Sequence, residues 1–509
     1  MREDVLEVYN KVYVPLGDVQ CTSQDLFRLF MLFAISGVTR YRAGLSKEHP
    51  FGYYRAALTH IGSIPLIGCP DSIQNSLLIG RFGMYHHIGQ SLWDISHFCM
   101  RQCIELGYHA PPQRALPAIE EQKQRRIFWE CYILDRYSSG ILGRPFAIAD
   151  EDICTELPIL ADDEALKAAN INSLSELSDI APTQPTEVSV FVFYIKLRQI
   201  SSRIHTEFNS GRRQSSRSAN STPMPFTTAG YVQMKVHGFL AQLDLWRQSA
   251  PVFPNPKSLY ERPEWYDFLL EKDKSILVRG AMHTAPKLSN NAPPSDLLVL
   301  SLRSATRVIL LYSDMLEKKY ITWTRSYFQG IFAAGLSILF YLSMKPDTAQ
   351  DSSLNMEVSP AAALQTCSEV LHTFEKEMPD VRSFAVVFDE LKELSMRNMQ
   401  QTNGKTIQFA HMSVPADAVT TGNNLHISEA TEWSHNRTQS QIETATWDNQ
   451  AIDGANWGTS NLGEYSMGED GLGWPLLTEE FMENLEAGLG EYAWGFAGDD
   501  HCYWQPDPI

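Results

Sequence analysis

Residues Arg125–Pro158 read RRIFWECYILDRYSSGILGRPFAIADEDICTELP, and the first half of this stretch decides the fold class. Ile127, Cys131 and Leu134, joined by Phe128 and Tyr132, recur at the three- and four-residue spacing of a helix and make one broad apolar face. Trp129 adds a large ring as a core anchor, while Arg125, Glu130 and Arg136 are expected to reach solvent. The helix extends back to about Ile119, because IEEQKQ puts acidic residues first and basic ones follow, the order a helix dipole favours. Gly143 and Pro145 then end it: glycine accepts a left-handed terminus and proline cannot continue the ladder. Asp150, Glu151 and Asp152 could suggest a metal or acid–base site, but their place in a turn before Ile153 predicts a structural role. Asp135 beside Arg136 is likewise expected to be an ion pair that fixes the helix, not a catalytic group.

Outward from this stretch the chain reads as helix after helix. Thr22 and Ser23 cap an apolar segment that begins at Asp25, and after Pro70 the residues Asp71 and Ser72 cap another that runs to His87. Leu92, Ile95, Cys99, Cys103 and Leu106 carry one buried stripe, which Gly107 stops. Helical spacing returns over Tyr231–Trp246, Pro293–Lys319 and Ala361–Asn398. The apolar run Ile331–Met344 is shorter than the roughly 18 residues a membrane span needs and is expected to be a buried helix. Asn209–Thr228 is rich in serine, glycine and proline and predicts an exposed, mobile loop; Lys345–Ser359 predicts a shorter one. Strands do not alternate with helices, so the fold class is all-α, a helical array over residues 1–400.

The chemistry-bearing residues are sparse. Eight cysteines are dispersed without a CxxC pair, which argues against a zinc module and against a disulfide framework. Cys99 and Cys103 share a helix face and read as small buried thiols. His86 and His87 have no ligand partner at metal spacing, and no nucleophile elbow, P-loop or dinucleotide fingerprint occurs. No catalytic residue, metal site or cofactor is assigned, and the chain is read as a non-enzyme. The first residues are charged and lack an apolar signal core, which leads to the expectation of an intracellular chain.

The stretch quoted above resembles the signature of the fungal-specific transcription factor domain, the middle homology region of fungal binuclear zinc-cluster regulators. There a helix of the form RRRxFWxxYxLDR runs into LGRPxxIxDxDIxxxLP. The matching positions here are Arg125, Arg126, Phe128, Trp129, Tyr132, Leu134, Asp135, Arg136, Gly143, Arg144, Pro145, Asp150 and Asp152. Phe51–Gly62, Ser72–Leu78, Ile104–His109 and Tyr327–Leu342 are similar to flanking helices of the same domain. The resemblance implies an all-helical regulatory domain in a nuclear regulator of RNA polymerase II transcription, specific to one pathway. Its partners would be transcriptional coactivators, a homo- or heterodimer partner and a small-molecule effector, with no membrane. Promoter DNA would be reached through an N-terminal zinc cluster, which the 509 residues do not contain, or through a DNA-bound partner protein. Zinc is a cofactor only with such a cluster. A rival expectation is a zinc-less modulator that sequesters related factors; a helical enzyme is a more remote one.

Charge locates a second functional region. Residues 411–509 hold 17 of the 60 acidic residues, one of the 42 basic ones and six of the 11 tryptophans. Residues 1–410 are then nearly neutral and offer no basic stripe for phosphate binding. An acidic segment with interspersed aromatic and leucine side chains has the composition of an activation tail, and residues 401–509 are expected to be disordered. Within it Thr478 can cap a short helix whose Phe481, Met482, Leu485 and Leu489 form one apolar edge, expected to fold onto a coactivator groove.

Overall fold

The computed structural model describes residues 2–14, 21–161, 163–168, 184–186, 188–215, 229–288, 292–321, 323–344, 358–378 and 381–402. Among these residues there is no strand, and the helices follow in the order α1 (Arg2–Tyr13), α2 (Ser23–Arg42), α3 (Pro50–Leu58), α4 (Pro70–Gly83), α5 (Leu92–Glu105), α6 (Ala118–Leu142) and α7 (Asp163–Ala168). They continue with α8 (Ser189–Ser215), α9 (Ala229–Gln248), α10 (Pro263–Thr284), α11 (Ser295–Glu317), α12 (Arg325–Met344), α13 (Pro360–Phe374) and α14 (Arg382–Thr402). The all-α reading holds. The tail, with Phe481, Met482, Leu485 and Leu489, lies outside the described residues, apart from Gln401 and Thr402, which continue α14.

Local chemistry sets the helix starts. Thr22 caps α2 through a reciprocal box: its Oγ1 accepts from Asp25 N at 3.1 Å, and the Asp25 carboxylate accepts from Thr22 N at 3.1 Å. For α4 the expected caps, Asp71 and Ser72, lie inside the helix, because Pro70 already occupies the first helical position and moves the cap back to Cys69. That helix also ends at Gly83, short of His87. The 209–228 loop needs a second correction: α8 carries its helix through to Ser215, since a long periodic segment propagates into Asn209–Ser215. Residues 216–228 lie outside the described residues. The last helical pattern is two helices, broken by the Glu375–Glu377 turn just before Met378 and Pro379.

Among the described residues, the three larger apolar centres organise the fold. Phe27, Met31, Tyr54 and Phe82 close α2, α3 and α4 together. The α5–α6 seam gathers Cys99, Cys103, Phe128, Trp129, Cys131 and Tyr132. The largest centre draws on α8 to α14, with Phe268, Leu302, Tyr312, Phe328, Phe332, Leu339, Phe374 and Phe388 all at its interior. Here α12, at 20 residues, is longer than the apolar run suggested and could cross a membrane by length and composition alone. Its burial among α11, α13 and α14 accounts for that composition instead. Gly335 lets it close: a β-carbon there would overlap the Phe388 ring and the Cys367 sulfur.

Candidate functional site

Gly143, at φ +60°, reverses the chain after α6, and the N–H of Arg144 closes the turn on the Ser139 carbonyl at 2.9 Å. The chain then runs back along α6, and successive turns of the helix hold it. Near the reversal, both oxygens of the fully buried Asp135 carboxylate accept from Ala147 N, at 3.1 and 3.3 Å. Arg136 donates from Nη2 to the Ile148 carbonyl at 2.8 Å and to Asp150 Oδ1 at 2.7 Å, and from Nε to Ser202 Oγ of α8 at 3.0 Å. Its Nη1 pairs with Asp135. Ser202 Oγ in turn donates to Asp150 Oδ2 at 2.7 Å, and Tyr132 Oη donates to Asp150 Oδ1 at 3.0 Å.

Further back along α6, Trp129 Nε1 donates to the Glu156 carbonyl at 2.8 Å and Arg125 Nη1 to the Leu157 carbonyl at 3.2 Å. Gln122 bonds both ways with the Ile159 backbone, at 2.9 and 3.1 Å. Arg126 reaches Asp163 at 2.8 Å and the Ala161 carbonyl at 3.3 Å. The signature is therefore a lace: residues three or four apart on one helix bind backbone that returns beside it. An extended segment cannot satisfy its own N–H and C=O groups, so the helix side chains satisfy them.

The expectation that Arg125 and Arg136 reach solvent is overturned. They are 8% and 3% exposed, because each has buried acceptors facing it. The Arg136 guanidinium lies between the rings of Tyr132 and Phe146, 4.3 Å from each centroid. Burial opposes its charge, but Tyr132, Asp135 and Asp150 outweigh this and raise its pKa. Burial pushes the Asp135 carboxyl above the usual carboxylate range, against the opposing pull of Arg136 and His97. Asp152 closes a 3-10 turn through its N–H to the Ala149 carbonyl at 3.2 Å, Arg144 lies over the Trp93 ring, and Leu134 packs with Leu92 and Tyr137. Phe128 is fully buried.

Sequence reasoning did not find two neighbours of this lace. One is a second buried pair, Arg198 of α8 with Asp273 of α10 at 2.7 Å, beside Lys272, whose ammonium donates to Tyr137 Oη. Burial lowers the Lys272 pKa to about 8. The other is an open cleft of about 1320 Å³ between the returning segment, α8 and α9. Trp129, Tyr132, Phe146 and Phe239 give it aromatic walls; Arg203, Lys235 and Gln242 give it polar ones. Arg203 donates to the neutral Gln242 amide at 2.9 Å, and Lys235 pairs with Glu207 at 2.8 Å. Trp129, Tyr132, Pro145 and Asp150 belong to the signature, but no sequence motif marks the α8 and α9 residues that face them. Among the described residues no group of three His, Cys, Asp or Glu side chains stands ready to hold a metal.

Residues 63–248 match the family model described as the fungal specific transcription factor domain, and the match ends at the last residue of α9. The chain carries a fungal-specific transcription factor domain. The whole lace, from Gln122 to Asp163, falls within the domain, as do Ser202 and the cleft walls. The chain is also similar to larger proteins. The positive regulator of purine utilization of Emericella nidulans is 21% identical over 493 residues, which covers 79% of this chain and 45% of the relative. Pyrimidine pathway regulatory protein 1 of Saccharomyces cerevisiae is 24% identical over 364 residues, covering 67% of this chain and 38% of the relative. Protein STB5 of the same yeast is 30% identical over 141 residues, 26% of this chain and 19% of the relative. The chain spans less than half the length of these relatives. No solved structure matches it.

Proposed function

We propose that this protein is a pathway-specific regulator of transcription by RNA polymerase II that acts in the nucleus and is not an enzyme. The observation that carries the reading is the laced signature inside a fungal-specific transcription factor domain, in a chain whose relatives along most of its length are named as pathway regulators. The helical body serves as the control module. A small-molecule effector would bind in the cleft, where contact with Tyr132, Phe146 or Asp150 bears directly on the lace. The acidic segment 411–509 recruits coactivators, through the edge Phe481, Met482, Leu485 and Leu489. Contact with promoter DNA is assigned to a zinc module or a DNA-bound partner, because residues 1–410 carry 41 basic and 43 acidic side chains and so little net charge for phosphate.

The test is a reporter assay with the full chain, and separately residues 411–509, fused to an unrelated DNA-binding domain. Both fusions are expected to activate, and changing Phe481 and Leu485 together to alanine should remove much of the tail's output. Silence of both fusions would overturn the activator reading; full output from the double variant would remove the edge as the contact.

A further inference from the structure

We propose that Cys103 and Cys131 form a redox modification site, joined as a disulfide by a small neutral peroxide. Cys103 lies on α5 and Cys131 on α6, both fully buried, with the Cys103 thiol donating to the Cys131 sulfur at 3.6 Å. A disulfide bond is about 2.05 Å long, so the sulfurs must approach by about 1.5 Å, a movement within reach of side-chain rotation between helices already packed together. The proposal does not depend on the regulatory reading above, and neither sulfur takes part in the lace.

Burial holds the Cys131 thiol protonated, so the closed protein keeps the pair reduced and the first oxidation is slow. Selectivity comes from proximity: once one sulfur is oxidised, the other is already in contact with it, at an effective concentration no external thiol matches. Access comes from Tyr108. Its side chain packs into the same core as Cys103 and also lines a surface recess of about 130 Å³ beside Pro111, Pro112 and Arg125. Hydrogen peroxide, close to water in size, would enter from that recess by displacement of the Tyr108 ring, whereas a peptide disulfide is too large.

The chemistry balances without a cofactor. The Cys103 sulfur attacks one peroxide oxygen, the O–O bond breaks, and the departing hydroxide takes a proton to leave as water. The Cys131 sulfur then attacks the Cys103 sulfenic acid, the S–S bond forms, the S–O bond breaks, and a second water leaves. Two electrons pass from the sulfurs to hydrogen peroxide. The product ties α5 to the signature helix.

Hydrogen peroxide is applied to the native full chain, free thiols are blocked, and tryptic peptides are mapped without reduction. Cys103 falls in peptide 102–114, Cys131 in 127–136 and Cys99 in 82–101, so each pairing has its own mass. The expected result is a linked 102–114/127–136 species that dithiothreitol reverses, together with a higher urea midpoint for the oxidised chain. Complete blocking of Cys103 and Cys131 while exposed Cys154 is oxidised would overturn the proposal, as would a Cys99–Cys131 link in its place or a link that forms only in urea. The wild-type readout needs no variant; Cys103→Ala, and Cys131→Ser should that fail to fold, are expected to lose the species.

Discussion

Two halves of this body are held together in opposite ways. Around α6, buried polar groups meet one another: Asp135 with Ala147, Arg136 with Ile148, Asp150 and Ser202, Trp129 with Glu156. Around α12, the contacts are rings and aliphatic chains, with Phe328, Ile331, Phe332, Leu336, Ile338 and Leu339 fully buried. A buried hydrogen bond fixes the identity of both partners, since losing one leaves the other unsatisfied in a poor solvent. Apolar packing fixes only volume and pattern, and many residue sets meet that demand. The family match over 63–248 contains the whole lace, while α12 lies beyond it.

Breaking the polar half should have the largest effect. Arg136→Met leaves Asp135 buried without its cation and frees the Ile148 carbonyl, and it should cost on the order of 3–5 kcal/mol, read from urea unfolding. An unchanged midpoint would show that the lace carries no stability. Lys272 sharpens the comparison by pH. Its folded pKa, about 8, lies below the value of about 10.4 usual for an exposed lysine, so the unfolded chain binds more protons between these values. Stability should therefore rise with pH through that window, and the burial cost should be fully present below about 8. Lys272→Met should flatten this rise in melting temperature between pH 7.5 and 9.5. The smallest effect belongs to the apolar half: Leu339→Met, which conserves volume, should cost less than about 1.5 kcal/mol. A cost as large as that of Arg136→Met would erase the distinction drawn between the halves.

The fold was legible where sequence period and burial agree. Thr22 with Asp25, the stripe of α5 and the Gly143 stop can each be read from the residues alone. Helix α10 could not, because Lys272 and Asp273 sit on its buried side and break the apolar period. Asn209–Ser215 was hidden for another reason: its serines and glycine suggest a loop, while the helix before it carries them along. At the site, the residue types of the signature were visible but their burial was not. Arg125 and Arg136 look like solvent-facing cations until Glu121, Asp150 and the returning carbonyls are placed around them. The α8 and α9 walls of the cleft had no sequence signal, since Gln199, Arg203 and Lys235 acquire meaning only when these helices meet the returning chain.

The claim that the signature acts as a polar lace is tested most directly by a double-mutant cycle between Arg136 and Asp150, which lie 14 positions apart and meet at 2.7 Å. Urea unfolding of the wild type, Arg136→Met, Asp150→Asn and the double variant gives the coupling. The lace predicts a coupling of about 1–3 kcal/mol, with the double variant less destabilised than the two single costs together imply. Costs that add to within about 0.5 kcal/mol would contradict it and reduce the signature to independent surface and core positions.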